Sequence, residues 1–321
     1  MKSIQELSAV ISNELGKIEY PKNPSLLYEP INYILGLGGK RMRPILVLMA
    51  HQLFDKNIEK AVSPALAIEV FHNFTLLHDD IMDKAPLRRG KQTVHEKWND
   101  NVAILSGDTM LVQAYQLMAV VDKDIIKEVL AVFSKAAIEV CEGQQWDMDF
   151  ETQSDVSIED YLKMIEYKTA VLLGAALQIG GITAGASAQQ QNHLYEFGRN
   201  MGIAFQLKDD LLDAFGSPET FGKQVGGDIM ANKKTYLYLK ALALANENQQ
   251  ADLMHYFSTT DTSEAKVETV KSIFTALDIH QLTSDLMKEY HTKAMHHLEA
   301  IESDNKAPLL DFSALLLDRV S

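Results

Sequence analysis

The pattern of apolar and polar positions predicts helices along nearly the whole chain. From Ser63-Pro64 onward, apolar residues recur at Ala67, Val70, Phe74, Leu77 and Ile81. That alternation of three and four is the seam of a buried helix. Residues 3–16 and 25–36 read as helices, the second with Pro24 just before it, and another runs from Pro44 to about Phe54. There the proline stands in the first turn, where its missing N–H costs little. Further helical patterns cover 92–120, 123–149, 157–182, 187–215, 233–246, 264–277 and 279–302. Strand-like alternation bounded by hairpin turns is missing. Gly216-Ser217-Pro218 and the stretch 222–227 mark a loop, and no low-complexity linker divides the chain. A single all-α domain over residues 1–321 is therefore expected.

Two stretches stand out against this background. Residues 71–90 read FHNFTLLHDDIMDKAPLRRG, and residues 205–213 read FQLKDDLLD. At about 100° per residue, Asp79 and Asp83 fall on one helix face, one turn apart, with His72 on the same stripe about two turns earlier. In the second stretch Asp209, Asp210 and Asp213 repeat the pattern, and Gly202 takes the position that His72 has in the first. Two helices each present a carboxylate stripe.

Composition narrows what these stripes can serve. The chain has 321 residues, 46% hydrophobic and 23% charged, with a formal net charge of -14. That is a globular composition, and its acidity argues against general nucleic-acid binding, because nothing would neutralise phosphates along a duplex. A single cysteine, Cys141, excludes an internal disulfide and fits a reducing cytosol. The N-terminus is amphipathic and contains acids, unlike a signal peptide, so a cytoplasmic location is expected. Thr169 to Tyr195 carries no Asp, Glu, Lys or Arg, but Gly180-Gly181 interrupts its apolar run. The uniformly apolar part is shorter than the roughly 20 residues a bilayer needs, so a core helix with small residues for close approach is expected rather than a membrane span.

Carboxylates at i, i+1 and i+4 offer oxygen ligands suited to Mg2+, which keeps waters and takes further ligands from substrate phosphates. A lone DDxxD is by default a solvated acidic face. Two apolar-flanked copies, the first followed by Arg88-Arg89-Gly90, point instead to a diphosphate clamp. Basic residues support this: Lys40, Arg41 and Arg43 sit on a Gly38-Gly39 loop entering a helix, and Lys168-Thr169, Lys223 and Lys233-Lys234 follow downstream. Arg forks grip phosphate oxygens bidentately and Lys acts as a mobile point charge.

The motifs GGKRMRP (38–44), HNFTLLHDDIMDKAPLRRG (72–90), GQQWD (143–147), YKT (167–169), FQLKDDLLD (205–213), GKQVGGDIMANKK (222–234) and KAPLLDF (306–312) occur in one order across most of the chain. In these the sequence resembles the trans-isoprenyl diphosphate synthases of the polyprenyl synthetase family. The resemblance implies a single-domain isoprenoid synthase helical bundle around a deep central cavity, usually a homodimer. It implies that Asp79, Asp80 and Asp83 with Asp209, Asp210 and Asp213 hold about three Mg2+ on an allylic diphosphate. Arg88, Lys168 and Lys233 would contact that diphosphate, with Lys223 assisting. Lys40, Arg43, His72 and Arg89 would hold isopentenyl diphosphate, and Thr169 and Gln206 would line the site beside the developing cation. Asp147 would join a metal's outer shell. Ionisation, condensation and proton loss to diphosphate need no nucleophilic triad, so His72 is expected to bind substrate.

By the same resemblance Phe74 and Thr75, five and four places before Asp79, would help set a chain-length floor, with Phe71 three further back. An aromatic at the fifth position, with no residue inserted in the acidic motif, resembles short-chain enzymes making geranylgeranyl or farnesyl diphosphate, and small Thr75 favours the former. On an ideal wheel Phe74 lies about 140° from Asp79, Thr75 about 40° and Phe71 about 80°, so Phe71 rivals Phe74 as the floor. The segment Met230-Ala231-Asn232 and the tail Asp318-Arg319-Val320-Ser321 depart from the family pattern. Three other readings stand beside this one: a longer-chain polyprenyl synthase, a terpene cyclase and a non-catalytic subunit of a heteromeric synthase. The second acidic triad and the Lys40/Arg43 pair argue against a cyclase, and the intact acidic motifs argue against a non-catalytic subunit.

Overall fold

The computed structural model describes residues 2–216 and 225–317. The described residues are helical nearly throughout, and contacts divide the chain into two compact units. The first comprises Met1–Lys135, Ala175–Tyr195 and Ile301–Pro308, and the second Ala136–Gly174, Glu196–Ala300 and Leu309–Ser321.

In the first unit, α1 (Ile4–Gly16), α2 (Ser25–Gly36) and α3 (Met42–Gln52) lead into α4 (Glu59–Met82). Ala67, Val70, Phe74 and Leu77 of the expected seam are buried, and so are Ala65, Ile68 and Phe71 on other sides. A helix apolar nearly all round belongs in the middle of its neighbours. It begins at Glu59, earlier than Ser63-Pro64, so Pro64 stands inside the helix. So near the N-terminus its missing N–H forfeits one hydrogen bond without breaking the helix.

The expected helix 92–120 is replaced by three elements. The strands β1 (Leu87–Arg88) and β2 (Lys91–Gln92) pair antiparallel, α5 covers Val94–Lys97, and α6 covers Asp100–Met118. Arg89 (φ 53) and Gly90 (φ 73) form a two-residue turn with both φ positive, the geometry that matches strand twist. The Thr93 hydroxyl donates to the Ala85 carbonyl (2.7 Å) at the hairpin base. Asn99 then starts α6 afresh, its side chain accepting from the Val102 N–H (2.9 Å). The expectation of no hairpin is corrected here: the signal is two residues per strand, too short for alternation to register.

Helix α7 spans Ile126–Thr152. Beyond it, the expected helix 157–182 is observed as α8 (Ile158–Ile165), a π-helical turn over Glu166–Ala170, and α9 (Val171–Thr183). In the first unit, Gly180 of α9 packs so closely that a Cβ there would lie 2.2 Å from the Val47 carbonyl oxygen. The close approach expected of its small residues is observed. No helix among the described residues is long and apolar enough to cross a membrane.

Helix α10 is Ala188–Phe215. Later helices are Gly227–Met230, Tyr236–Leu244, Glu247–Tyr256, Glu264–Ala276, Ile279–Glu299 and Ala307–Leu317. The helices over 247–256 and 307–317 have no counterpart in the sequence expectations, and Lys233-Lys234 precede their helix instead of opening it. Lys208, inside the second acidic motif, is buried and donates from Nζ to the Leu316 carbonyl (3.0 Å), securing the last helix by its C-terminal end.

The π turn depends on two glycines of the second unit. A Cβ on Gly143 would lie 2.2 Å from the backbone nitrogen of Lys168, and one on Gly202 would lie 2.5 Å from Cα of Ala170. Gly202 is thus where two backbones meet rather than a counterpart of His72. Since backbone cannot swing aside as a side-chain tip can, Gly143→Ala should cost about 3 kcal/mol and lower the melting temperature by about 5–10 °C. Calorimetric melting checks this, and an unchanged melting temperature would refute the clasp.

Candidate functional site

Within the first unit, α4 supplies the acids. Asp79 and Asp80 lie in its last turn and Asp83 caps it, with the Asp83 N–H still bonded to the Asp79 carbonyl (2.8 Å). Asp79 and Asp83 therefore stand one turn apart as expected. Asp80 points inward, 2% exposed. Its oxygens accept from Arg88 Nε at 2.9 and 2.8 Å and lie 2.7 Å from Arg88 Nη2, which is 3.9 Å from Asp79. The hairpin turn sends the adjacent arginines different ways. Arg88 returns to the acids, whereas the Arg89 guanidinium lies 2.7 Å from where a Cβ of Gly39 would be. Gly39 has φ 134, a backbone conformation that residues with a side chain rarely adopt, which accounts for the second glycine of GGKRMRP.

Two turns earlier on α4, His72 Nε2 is 3.1 Å from Arg43 Nη1. Arginine can only donate, so Nε2 accepts and the neutral ring carries its proton on Nδ1. Burial, and then the charges of Arg43, Arg89 and Arg88, hold His72 well below the usual histidine range. Burial also lowers Arg43 to about 10, where it stays protonated at neutral pH, against the opposing charge of Glu69. Glu69 is 4% exposed and takes a hydrogen bond from Asn73 Nδ2 (3.1 Å). Neither Glu69 nor Asn73 is among the sequence candidates, although both share a helix face with His72.

The floor candidates separate by contact. Phe71 is fully buried, edge-on to Phe133 with ring centroids 5.2 Å apart. Phe74 packs against Phe71 (5.6 Å) and edge-on to His78 (4.7 Å). Thr75 is half-buried and returns its hydroxyl to the His72 carbonyl (2.8 Å).

In the second unit a cavity of about 110 Å³ is lined by Asp147, Lys168, Thr169, Gln206, Asp210 and Lys233 from the candidate set. Tyr161 and Asp228 line it too. The π turn presents Lys168 and Thr169 on successive residues; widened turns of this kind are frequent at functional sites. Lys168 Nζ donates to Asp147, Thr169 to Gln206 Oε1 (3.3 Å), and Gln206 Nε2 to Asp210 Oδ1 (3.2 Å). The Tyr161 hydroxyl donates to the other oxygen of Asp210. Burial, and then Asp228, push the Asp210 carboxyl up to about 8. A buried acid facing a second acid fits a site for a cation. Asp213 accepts the Asp228 backbone N–H on Oδ1 (2.9 Å), and Lys233 Nζ is 3.9 Å from Asp228.

Asp209 and Asp213 lie on α10 but do not line this cavity. Lys234 also lines this cavity while donating to the Phe150 carbonyl (2.6 Å) near the end of α7. Lys223 lies outside the described residues. Among those residues no group of three or more His, Cys, Asp or Glu is placed to hold a metal ion.

The polyprenyl synthetase family model matches residues 24–276. This chain belongs to the polyprenyl synthetase family. Among curated relatives, the geranylgeranyl diphosphate synthase of Methanosarcina mazei is 42% identical over 220 residues, 68% of each chain. The short chain isoprenyl diphosphate synthase of Methanothermobacter thermautotrophicus is 36% identical over 92% of this chain and 91% of its own. A crystal structure of a geranylgeranyl pyrophosphate synthase, 48% identical, superposes with a TM-score of 0.95 and full coverage of both chains. The all-α architecture expected of a polyprenyl synthetase is the one observed.

For this polyprenyl synthetase, the depressed His72 pKa sets a pH dependence. Below the ordinary histidine value of 6.5 the unfolded chain takes up a proton that folded His72 refuses, so stability falls as pH falls. His72→Gln keeps an acceptor for Arg43 and removes the titration. Between about pH 7.5 and about pH 5.5 the wild type should lose up to about 1.4 kcal/mol more stability than the variant. Urea unfolding at both pH values tests this, and equal losses would reject it.

Proposed function

We propose that the protein is a short-chain trans-prenyltransferase that condenses isopentenyl diphosphate with allylic diphosphates, with geranylgeranyl diphosphate favoured over farnesyl diphosphate as product. The observation that carries this reading is the pairing of acids with cations: Arg88 on Asp80, Lys168 on Asp147, and Lys233 near Asp228. Such pairs hold ready the positive and negative groups that a metal diphosphate engages together. The names of the relatives support the activity and the short product.

In this reading the metal ligands are Asp79, Asp80 and Asp83 in the first unit and Asp209, Asp210 and Asp213 in the second. The divalent ion is Mg2+, which when bound neutralises the departing diphosphate. Arg88, Lys168 and Lys233, with Lys223, bind the allylic diphosphate and take up charge as its C–O bond breaks. Lys40, Arg43, His72 and Arg89 hold isopentenyl diphosphate. Thr169 and Gln206 turn their oxygens toward the allylic cation. The isopentenyl double bond attacks that cation, a new C–C bond forms, and the proton lost from the adjacent carbon passes to the released diphosphate. The whole chain acts as one polyprenyl synthetase domain, in the cytoplasm.

A homodimer is part of the proposal. Leu26, Leu105 and Val112 are 57%, 60% and 59% exposed, and with Pro24, Leu27 and Val102 they line an apolar groove of about 630 Å³ on α2 and α6. An apolar patch of this kind marks a protein contact. Sedimentation equilibrium should return twice the chain mass, and Leu105→Glu should shift it toward the monomer; a monomeric wild type would end this part of the proposal.

The activity is tested by incubating protein with Mg2+, isopentenyl diphosphate and, separately, dimethylallyl, geranyl and farnesyl diphosphate, with products identified by mass. Geranylgeranyl diphosphate should dominate, and Asp79→Ala with Asp83→Ala should abolish turnover. Double-variant activity within about tenfold of wild type would sink the ligand assignment. In the same assay Phe74→Ala or Phe71→Ala should lengthen the product; an unchanged product in both rejects the floor. No elongation with any starter would return the reading to a non-catalytic subunit.

A further inference from the structure

The least expected group in the first unit is Glu69. It is almost fully buried and forms no direct ion pair among the described residues. Burial pushes its carboxyl above the usual range, and the Asn73 hydrogen bond and then the charges of Arg43, Arg41 and Arg89 oppose that and favour the carboxylate. Its conformation is fixed from one side. The Asn73 amide donates both to Glu69 Oε1 (3.1 Å) and to the Glu69 carbonyl (2.8 Å). Its other oxygen, Oε2, is buried without a hydrogen-bond partner among the described residues, and the same holds for Nε of Arg43.

Both groups adjoin one face of α4. Glu69, His72 and Asn73 stand at i, i+3 and i+4, on one face of α4. Arg43 lies against that face through its bond to His72. Glu69 is the acid that counteracts the burial of Arg43, and it is the first among the charges that do so for Arg89. A glutamine would satisfy Asn73 equally well and would avoid burying a carboxyl, so the helix alone gives no reason for an acid here. The two arginines do.

We propose that Glu69 is a positioning residue that holds the guanidinium groups of Arg43 and Arg89 in register for the diphosphate of the isopentenyl substrate. This rests on the reading of those arginines given above. Glu69 itself touches no substrate. It acts as a fixed counter-charge beneath the two forks, so that they neither splay apart by mutual repulsion nor need reorganisation when the anion arrives. An acid close to an anion site also weakens anion binding through its own charge. The two effects carry opposite signs, and experiment separates them.

The test is steady-state kinetics of the full-length enzyme with each substrate varied in turn. Glu69→Gln keeps shape and the acceptor for Asn73. It should raise KM for isopentenyl diphosphate about tenfold, leaving KM for geranyl diphosphate within about twofold. Glu69→Asp, which keeps the charge, should fall between wild type and Glu69→Gln, and it serves as the readout if Glu69→Gln does not fold. Thermal melting should place folded variants close to wild type. Unchanged kinetics, an equal rise in both KM values, or a lower KM for isopentenyl diphosphate would each overturn the proposal. A wild type that does not consume isopentenyl diphosphate would instead remove the reading on which it rests.

Discussion

Burying charge on a helix is expensive, and α4 does it repeatedly. Glu69 and Asp80 are among its most hidden residues, and His72 lies between them along the helix. Each obliges the chain to bring something compensating from elsewhere. Arg88 reaches Asp80 because the chain turns back just after α4, with Lys84 at φ 50 and the Ala85 N–H bonded to the Asp80 carbonyl (2.9 Å). Arg43 reaches His72 from the first turn of α3, and Arg89 settles over Gly39 on the loop that precedes it. Arg89 (φ 53) takes its place in the hairpin turn, and Gly39 (φ 134) a backbone conformation open to glycine. A basic loop and an acidic helix far apart in sequence become one electrostatic unit.

The second unit solves a different problem with similar means. Lys168 and Thr169 both line the cavity, and both stand on a π turn rather than on regular helix. The π turn widens the helix at this point, and Gly143 and Gly202 leave room for its backbone. The motifs GQQWD and YKT are therefore one structural device, since the glycine of the first seats the lysine of the second. Tyr161 and Gln206 complete the arrangement by donating to opposite oxygens of Asp210.

Much of this was legible in the sequence. The α4 seam, the spacing of Asp79 and Asp83, the want of a helix among the described residues long and apolar enough to cross a membrane, and the family itself follow from residue order, because helical periodicity and motif spacing are local properties. The hairpin at Leu87–Gln92 was not legible, since two residues per strand carry no alternation. The break at Asn99 was a capping signal masked by apolar residues on both sides. Lys208, inside the second acidic motif, turns away to hold the end of the last helix, a role that its spacing does not reveal.

By itself the sequence determined which residues could carry charge and which helices would carry them, because both depend on neighbours within a turn or two. Only the tertiary structure decided what each charge faces. Arg88 turns to Asp80 and Arg89 to Gly39, although they are adjacent in sequence; Glu69 lies hidden among arginines, and Asp210 is driven toward its protonated form by burial and then by Asp228. Burial and the approach of distant backbone set those outcomes, and neither is written in the spacing of residues along the chain.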